Sequence, residues 1–147
     1  MSMVNRIAAL IMGLTFSLWA HADNWLGEYI LVPNDRMQQV YDEQGKEITM
    51  VTVSRLQEGM GMQLNFMHAD TVPVKMETDG KTLRDWLGGN SNNIRSQALI
   101  GDKVALIRIA KGKTLVLENG RSHTMRSDYL LILPGVDLEL EKRPGAQ

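Results

Sequence analysis

The sequence predicts an all-β domain, an antiparallel up-and-down barrel or sandwich of about 8–10 short strands. Turn-forming pairs such as Asp79-Gly80 and Asn119-Gly120 recur roughly every ten residues, and such pairs favour the left-handed backbone that tight hairpins need. Between the turns, short runs alternate between apolar and polar side chains. A period of two with one apolar side is the pattern of a strand that has one face on a core and the other in water.

The predicted strands fall into two kinds along the chain. Every second side chain is apolar in residues 60–66, 72–76 and 136–140, so each of these segments is expected to bury one face. Residues 104–109 and 129–133 are apolar on both faces. That pattern predicts central strands or a closed core.

Residues 34–44 fit two structures. Asn34 is a favourable helix N-cap, and Met37, Val40 and Tyr41 share one face of a short helix. The same residues also fit a strand that leads into the following turn. We favour the helical turn, and the sequence then predicts one short helix near the N-terminus.

The first 22 residues are predicted to be a secretory signal peptide. A single positive charge, Arg6, precedes an apolar run at positions 7–18 that is too short to span a membrane. Ala20 and Ala22 then supply small residues at the −3 and −1 positions of a cleavage site. We therefore expect cleavage after Ala22, a periplasmic or secreted protein, and a single all-β domain in residues 23–147.

The composition of the processed chain excludes several functions. Its 125 residues (147 less 22) contain no cysteine, which rules out thiol catalysis, cysteine zinc sites and disulfide staples. Its 15 basic and 17 acidic residues are interspersed and give a net charge of −2, so nucleic acid is not an expected partner. No later segment is apolar over a sufficient length to span a bilayer, so we expect no membrane insertion after the signal is removed.

Gly27, Glu28 and Tyr29 open the first predicted strand. This motif resembles the Gly-x-Trp pattern at the start of lipocalin-like (calycin-type) small β-barrels, with Tyr29 in the position of the tryptophan. The rhythm of the later strands is also similar to the closing hairpins of such domains. The resemblance implies a closed up-and-down antiparallel barrel whose mouth holds a small apolar ligand.

We expect a mixed set of large side chains to line that cavity or its rim. The set is Trp86, Tyr29, Met60, Met62, Phe66 and Arg108. Trp86 precedes a loop rich in Gly and Asn, and it either lines the barrel mouth or covers the core. Arg108 shares a face with Val104 and Leu106, so it either faces a ligand cavity or lies on an edge strand that is open to water. We favour the edge strand.

The number of methionines offers a second interpretation. Thioether sulfur and imidazole are soft ligands that suit Cu(I). The candidate ligands are Met60, Met62, His123 and Met125. Met60 and Met62, however, continue into Leu64 on one face, which is typical of core packing. We therefore favour packing and keep a periplasmic Cu(I)-binding protein as the alternative.

No set of residues has the spacing of a catalytic site, so we expect a non-catalytic binding protein without a cofactor. Ser122, His123 and Asp128 are the residue types of a nucleophilic triad, but Ser122 and His123 are adjacent and point to opposite faces of a strand. The expected partner is a small apolar ligand or another envelope protein that contacts the loops. A further alternative is an inhibitor or adaptor of another envelope or secreted protein.

Expression with the leader intact tests the predicted cleavage. The exported protein should begin at Asp23, as read by N-terminal sequencing or intact mass. Ala22→Arg places a large charged side chain at the −1 position and should leave the leader attached, whereas Ala8→Leu keeps the apolar run and should be processed normally. An exported wild-type chain that retains its first 22 residues would contradict the prediction.

Overall fold

The computed structural model describes residues 24–56, 61–67, 70–88, 94–117 and 120–145, which form ten strands and one helix. The strands, β1 to β10 in chain order, are Gly27–Leu31, Thr49–Arg55, Met62–Phe66, Thr71–Glu77, Ser96–Gly101, Val104–Ile109, Thr114–Val116, Ser122–Thr124, Tyr129–Leu133 and Val136–Lys142. The helix, α1, is Lys81–Leu87. The predicted signal peptide lies outside the described residues.

Eight of the strands close a barrel in which every neighbouring pair is antiparallel. The order around the barrel is β1-β2-β3-β4-β5-β6-β9-β10, and β10 pairs back to β1. Neighbours around the barrel are also neighbours along the chain, except that β7 and β8 form a separate hairpin between β6 and β9. The predicted all-β antiparallel fold is confirmed, as a closed barrel rather than a sandwich.

Side chains from the inner face of the barrel fill its interior. Tyr29, Leu64 and Leu106 are each 0 % exposed. Side chains that line a cavity wide enough for a small ligand would have accessible surface inside it. Because these three have none, the middle of the barrel is filled by close-packed side chains. The buried members of this interior cluster are Trp25, Tyr29, Leu31, Val51, Val53, Met62, Leu64, Val74, Leu99, Val104, Leu106, Tyr129, Leu131, Leu138 and Leu140.

A second apolar cluster covers the outside of β5, β6 and β9. On β6 its members include Ile107 and Ile109, which alternate with the inward-facing side chains. Helix α1 packs onto this cluster through Leu83 and Leu87, and the β7–β8 hairpin packs onto it through Leu115. The two layers explain why β6 and β9 are apolar on both faces, as the sequence predicts for central strands or a closed core.

Three aromatic rings close one end of the barrel. The Tyr29 hydroxyl donates a hydrogen bond of 2.6 Å to the carbonyl oxygen of Trp25. The ring of Tyr129 meets Tyr29 edge-on at a centroid distance of 4.9 Å and Trp25 at 5.9 Å, geometries that favour aromatic pairs. We call this the aromatic end; β1 begins there and β10 ends there. The opposite end, the loop end, carries the β1–β2, β3–β4, β5–β6 and β9–β10 connections.

The short helix predicted for residues 34–44 is wrong. Asn34 Oδ1 does accept a hydrogen bond of 2.8 Å from the Met37 amide, as a helix N-cap would. The chain then continues as a loop to an isolated β-bridge between Tyr41 and Glu47. The side chains expected on the buried face of the helix are exposed, so no packing stabilises a helix there.

The helix lies instead in the middle of the chain, between β4 and β5. It starts after Gly80, whose φ of 74° is left-handed, and Glu77 accepts a 3.0 Å hydrogen bond from the Thr82 amide in its first turn. Leu83 and Leu87 lie one turn apart and are both buried. The helix therefore depends on the apolar surface of the barrel beneath it.

Two matched valine substitutions test the packed interior. Val51 is 0 % exposed inside the barrel and Val40 is 53 % exposed in the β1–β2 loop. Val51→Ala should lower the free energy of unfolding by about 2 kcal/mol, because it removes buried methyl groups and leaves a cavity. Val40→Ala should change it by less than about 0.5 kcal/mol. Equal effects in chemical denaturation would contradict the packing described here.

Candidate functional site

Arg108 is an inward-facing charge at the aromatic end of the barrel. It lies on the same face of β6 as Val104 and Leu106, which are in the interior cluster. In the sheet it stands opposite Gln97 on β5 and Tyr129 on β9. Since β6 is paired along both sides, the edge-strand interpretation of Arg108 is wrong.

A cavity of about 660 Å³ opens beside Arg108, and we call it the Arg108 pocket. Two further arginines, Arg84 and Arg95, line it together with the carboxylates of Asp79 and Asp128. Three guanidinium groups and two carboxylates give the lining a formal charge of +1. The remaining lining residues are Thr78, Gly80, Ile94, Ser96, Gln97 and Ala110.

The charge of Arg108 acts on three groups at the aromatic end. Burial raises the pKa of Tyr29, and the neighbouring Tyr129 adds to this effect, while Arg108 opposes it. Burial also raises the pKa of Tyr129, which Arg108 again partly offsets. Partial burial lowers the pKa of Lys142, and repulsion from Arg108 lowers it further. At neutral pH both tyrosines are therefore uncharged, and neither balances the guanidinium.

The other predicted cavity residues occupy different parts of the fold. Tyr29 and Met62 are buried in the interior cluster, and Phe66 packs against it near the loop end. Trp86 lies on α1 and packs on the outer cluster, so it covers a core and does not line a barrel mouth. Met60 lies outside the described residues. Of the five predicted cavity residues that the structure describes, Arg108 alone lines the pocket beside it.

The described members of the candidate Cu(I) set do not come together. Met62 belongs to the interior cluster, whereas Met125 belongs to the cluster on the other side of the barrel wall. The Nε2 atom of His123 is 2.7 Å from Glu139 Oε1. Among the described residues there is also no group of three or more His, Cys, Asp or Glu side chains that could hold a metal ion.

Glu139 and His123 instead form a structural contact on the outside of the barrel. The Glu139 side chain is 2 % exposed, and its second oxygen accepts a 3.0 Å hydrogen bond from the Arg126 amide. Both carboxylate oxygens are therefore hydrogen-bonded, as a buried charge requires. The two contacts attach β8 and the segment after it to the middle of β10.

Exposed apolar side chains collect at the loop end. Six large apolar side chains are exposed in the part of the chain that the structure describes, and five of them lie in loops or at a strand start at this end. We call these five the loop-end surface; they are Met37 (36 % exposed), Val40 (53 %), Tyr41 (58 %), Met67 (54 %) and Val136 (46 %). The sixth, Val116, lies on β7.

Sequence reasoning missed this surface because it assigned four of its five members to buried faces and gave Met67 no position. Met37, Val40 and Tyr41 were expected to form the packed side of a helix, and Val136 was expected to begin an inward-facing row. The signal that identifies them is topological. In an up-and-down barrel, alternate connections lie at the same end, so the β1–β2, β3–β4 and β9–β10 loops are neighbours in space.

The loop end is also acidic. Its four connections, residues 32–48, 67–70, 102–103 and 134–135, contain six carboxylates and three Lys or Arg residues, a formal charge of −3. The Arg108 pocket at the opposite end carries the opposite sign. The two candidate sites thus differ in both chemistry and position.

No family model, no curated protein and no solved structure matches this chain. The closed eight-stranded barrel agrees with the fold that the lipocalin-like motif implies, while membership of that family stays a prediction. Among the described residues, no helix is long and apolar enough to cross a bilayer. The two candidate sites of the chain are thus the two ends of the barrel.

The buried Tyr29 hydroxyl should make stability depend on alkaline pH. Its pKa is higher in the folded chain than the ordinary value of 10.0, so the unfolded chain loses this proton first and the folded state loses stability as pH rises above about 10. Tyr29→Phe should be less stable by about 1 kcal/mol at pH 8, because it lacks the hydrogen bond to Trp25. The difference should shrink towards pH 11.

Urea denaturation of both proteins at pH 8, 9, 10 and 11 measures this difference. Tyr41→Phe, at an exposed tyrosine, is the matched control and should follow the wild-type curve. If the difference in the free energy of unfolding between Tyr29→Phe and wild type stays constant up to pH 11, the raised pKa of Tyr29 is contradicted.

Proposed function

We propose that this chain is a non-catalytic binding protein of the periplasm or the extracellular space, and that it contacts another protein through its loop-end surface. The observation that carries the proposal is the concentration of exposed apolar side chains in the loops at one end of the barrel. Single exposed apolar residues are normal on a soluble domain, but several in loops that share one end are typical of an interaction surface.

The packed interior favours this function over the binding of a small apolar ligand inside the barrel. Side chains such as Tyr29 and Leu64 are 0 % exposed, so a ligand would have to displace close-packed groups. The separation of Met62 from Met125 across the barrel wall likewise does not favour a soft-metal carrier.

The charge of the loop end defines the chemistry of the partner. With a formal charge of −3 around exposed Tyr, Met and Val side chains, the complementary surface is apolar at its centre and basic at its rim. A tyrosine such as Tyr41, exposed over 58 % of its surface, provides a large contact area at a low entropic cost. We infer that the protein acts as an inhibitor or adaptor of a basic envelope or secreted protein.

Site-specific photo-crosslinking in cells tests the proposal. A photoreactive phenylalanine analogue placed at position 41 or position 67 should give an adduct with the same protein. The same analogue at position 116, which is also exposed but lies on the β7–β8 hairpin, is the control and should not give it.

The partner identified in this way allows a direct affinity measurement. Tyr41→Ser should weaken binding by roughly 10-fold or more, and Val116→Ser should leave it unchanged. Binding should also weaken as salt concentration rises. Absence of an adduct at positions 41 and 67, or adducts of equal yield at position 116, would rule out the loop-end surface as the contact.

A further inference from the structure

Among the residues that the structure describes, none forms an ion pair with Arg108. Its two neighbours across the sheet are Gln97 and Tyr129, which are both neutral. Its charge acts on the pKa values of Tyr29, Tyr129 and Lys142, which are two phenols and a second cation. A half-buried guanidinium in such surroundings is a favourable partner for an anion.

The two carboxylates of the Arg108 pocket are already engaged by the backbone. Asp79 Oδ1 accepts a 3.1 Å hydrogen bond from the Lys81 amide, and Asp128 Oδ1 accepts one of 2.9 Å from the Lys111 amide. Both carboxylates therefore fix turns at the pocket wall. Their positions do not bring either of them within ion-pair distance of Arg108.

The rest of the pocket fits a small polar molecule. Arg84 and Arg95 add positive charge, and Ser96 and Gln97 add neutral hydrogen-bonding groups. The volume of about 660 Å³ is in the range of small-molecule sites.

We propose that the Arg108 pocket is a binding site for a small molecule that carries a carboxylate or phosphate group. The guanidinium of Arg108 binds the anionic group through paired N–H donors. Gln97, which stands opposite Arg108 in the sheet, contacts the polar remainder of the molecule, and Arg84 and Arg95 raise the local concentration of anions at the opening. The site is independent of the proposed protein contact, because it lies at the other end of the barrel.

Titration calorimetry with simple anions tests this site. Inorganic phosphate and succinate are the two probes, and glycerol and succinamide are their neutral counterparts, all at one low ionic strength held constant with sodium chloride. We expect saturable binding of at least one anion and none of the neutral compounds. The probe that binds with the higher affinity shows whether the site prefers phosphate or carboxylate.

Matched arginine variants locate the binding. Arg108→Gln should lower the affinity for the anion by roughly 10-fold or more. Arg108→Lys, which keeps the charge without the paired donors, should lower this affinity less. Arg36→Gln removes an exposed arginine at the loop end and should have no effect. Equal affinity of wild type and Arg108→Gln, or no anion binding by wild type, would overturn the proposal.

Chemical-shift mapping keeps the test decisive if Arg108→Gln does not fold. On titration of the wild-type protein with the tighter anion, the backbone amide signals of Ser96, Gln97 and Arg108 should shift, and those of Tyr41 and Met67 should not. Shifts confined to the loop end, or spread evenly over the surface, would overturn the site. Tyr41→Ser should retain full anion binding, so failure of the protein contact and failure of this site are distinguishable.

Discussion

Strands β5, β6 and β9 are buried on both faces, and this double burial constrains where the molecule can place polar groups. The inner face belongs to the filled barrel, and the outer face is covered by α1 and the β7–β8 hairpin. With ladder hydrogen bonds on both sides of each strand, the backbone in this wall is satisfied without water. A charge in the middle of the wall would be desolvated without a partner, so charged groups are restricted to the strand ends.

Arg108 follows from that constraint. It is the last inward-facing position of β6, where the interior gives way to the 660 Å³ pocket and its polar lining. The same constraint applies at the loop end. Interior side chains such as Leu64 are fully buried there, and the acidic groups and exposed apolar groups lie in the connections beyond the strands. The two candidate binding sites therefore lie at opposite ends of the barrel, and the packed interior separates them.

The sequence predicts the barrel well because its main signals are local. Period-two alternation and Gly-containing turns depend only on neighbouring residues, and the two-faced apolar run of β6 correctly indicates a central strand. The sequence analysis placed the helix at Asn34 because that residue can cap a helix, but a favourable N-cap is not sufficient to form one. Only a buried surface stabilises a short helix, and Leu83 and Leu87 have one where Val40 does not.

The candidate site was only partly predictable for the same reason. Alternation gives the face on which Arg108 lies, but whether that face meets a carboxylate, a cavity or water depends on how β6 pairs with β9, and the β7–β8 hairpin separates these two strands along the chain. The closure of the aromatic end was equally hard to predict from sequence, because Tyr129 on β9 packs against Trp25 and Tyr29 at the opposite end of the chain. Long-range packing of this kind has no local signature.

The ladder between β1 and β10 joins the two termini of the folded domain, and this has a consequence for how the chain is made. Until Leu140 and Lys142 are available to meet Leu31 and Tyr29, the sheet has two free edges that can pair with any other extended chain. A molecule that lacks β10, through incomplete synthesis or C-terminal proteolysis, therefore exposes strand edges that favour aggregation and does not form the closed barrel. The chain is therefore most prone to aggregate before β10 pairs with β1.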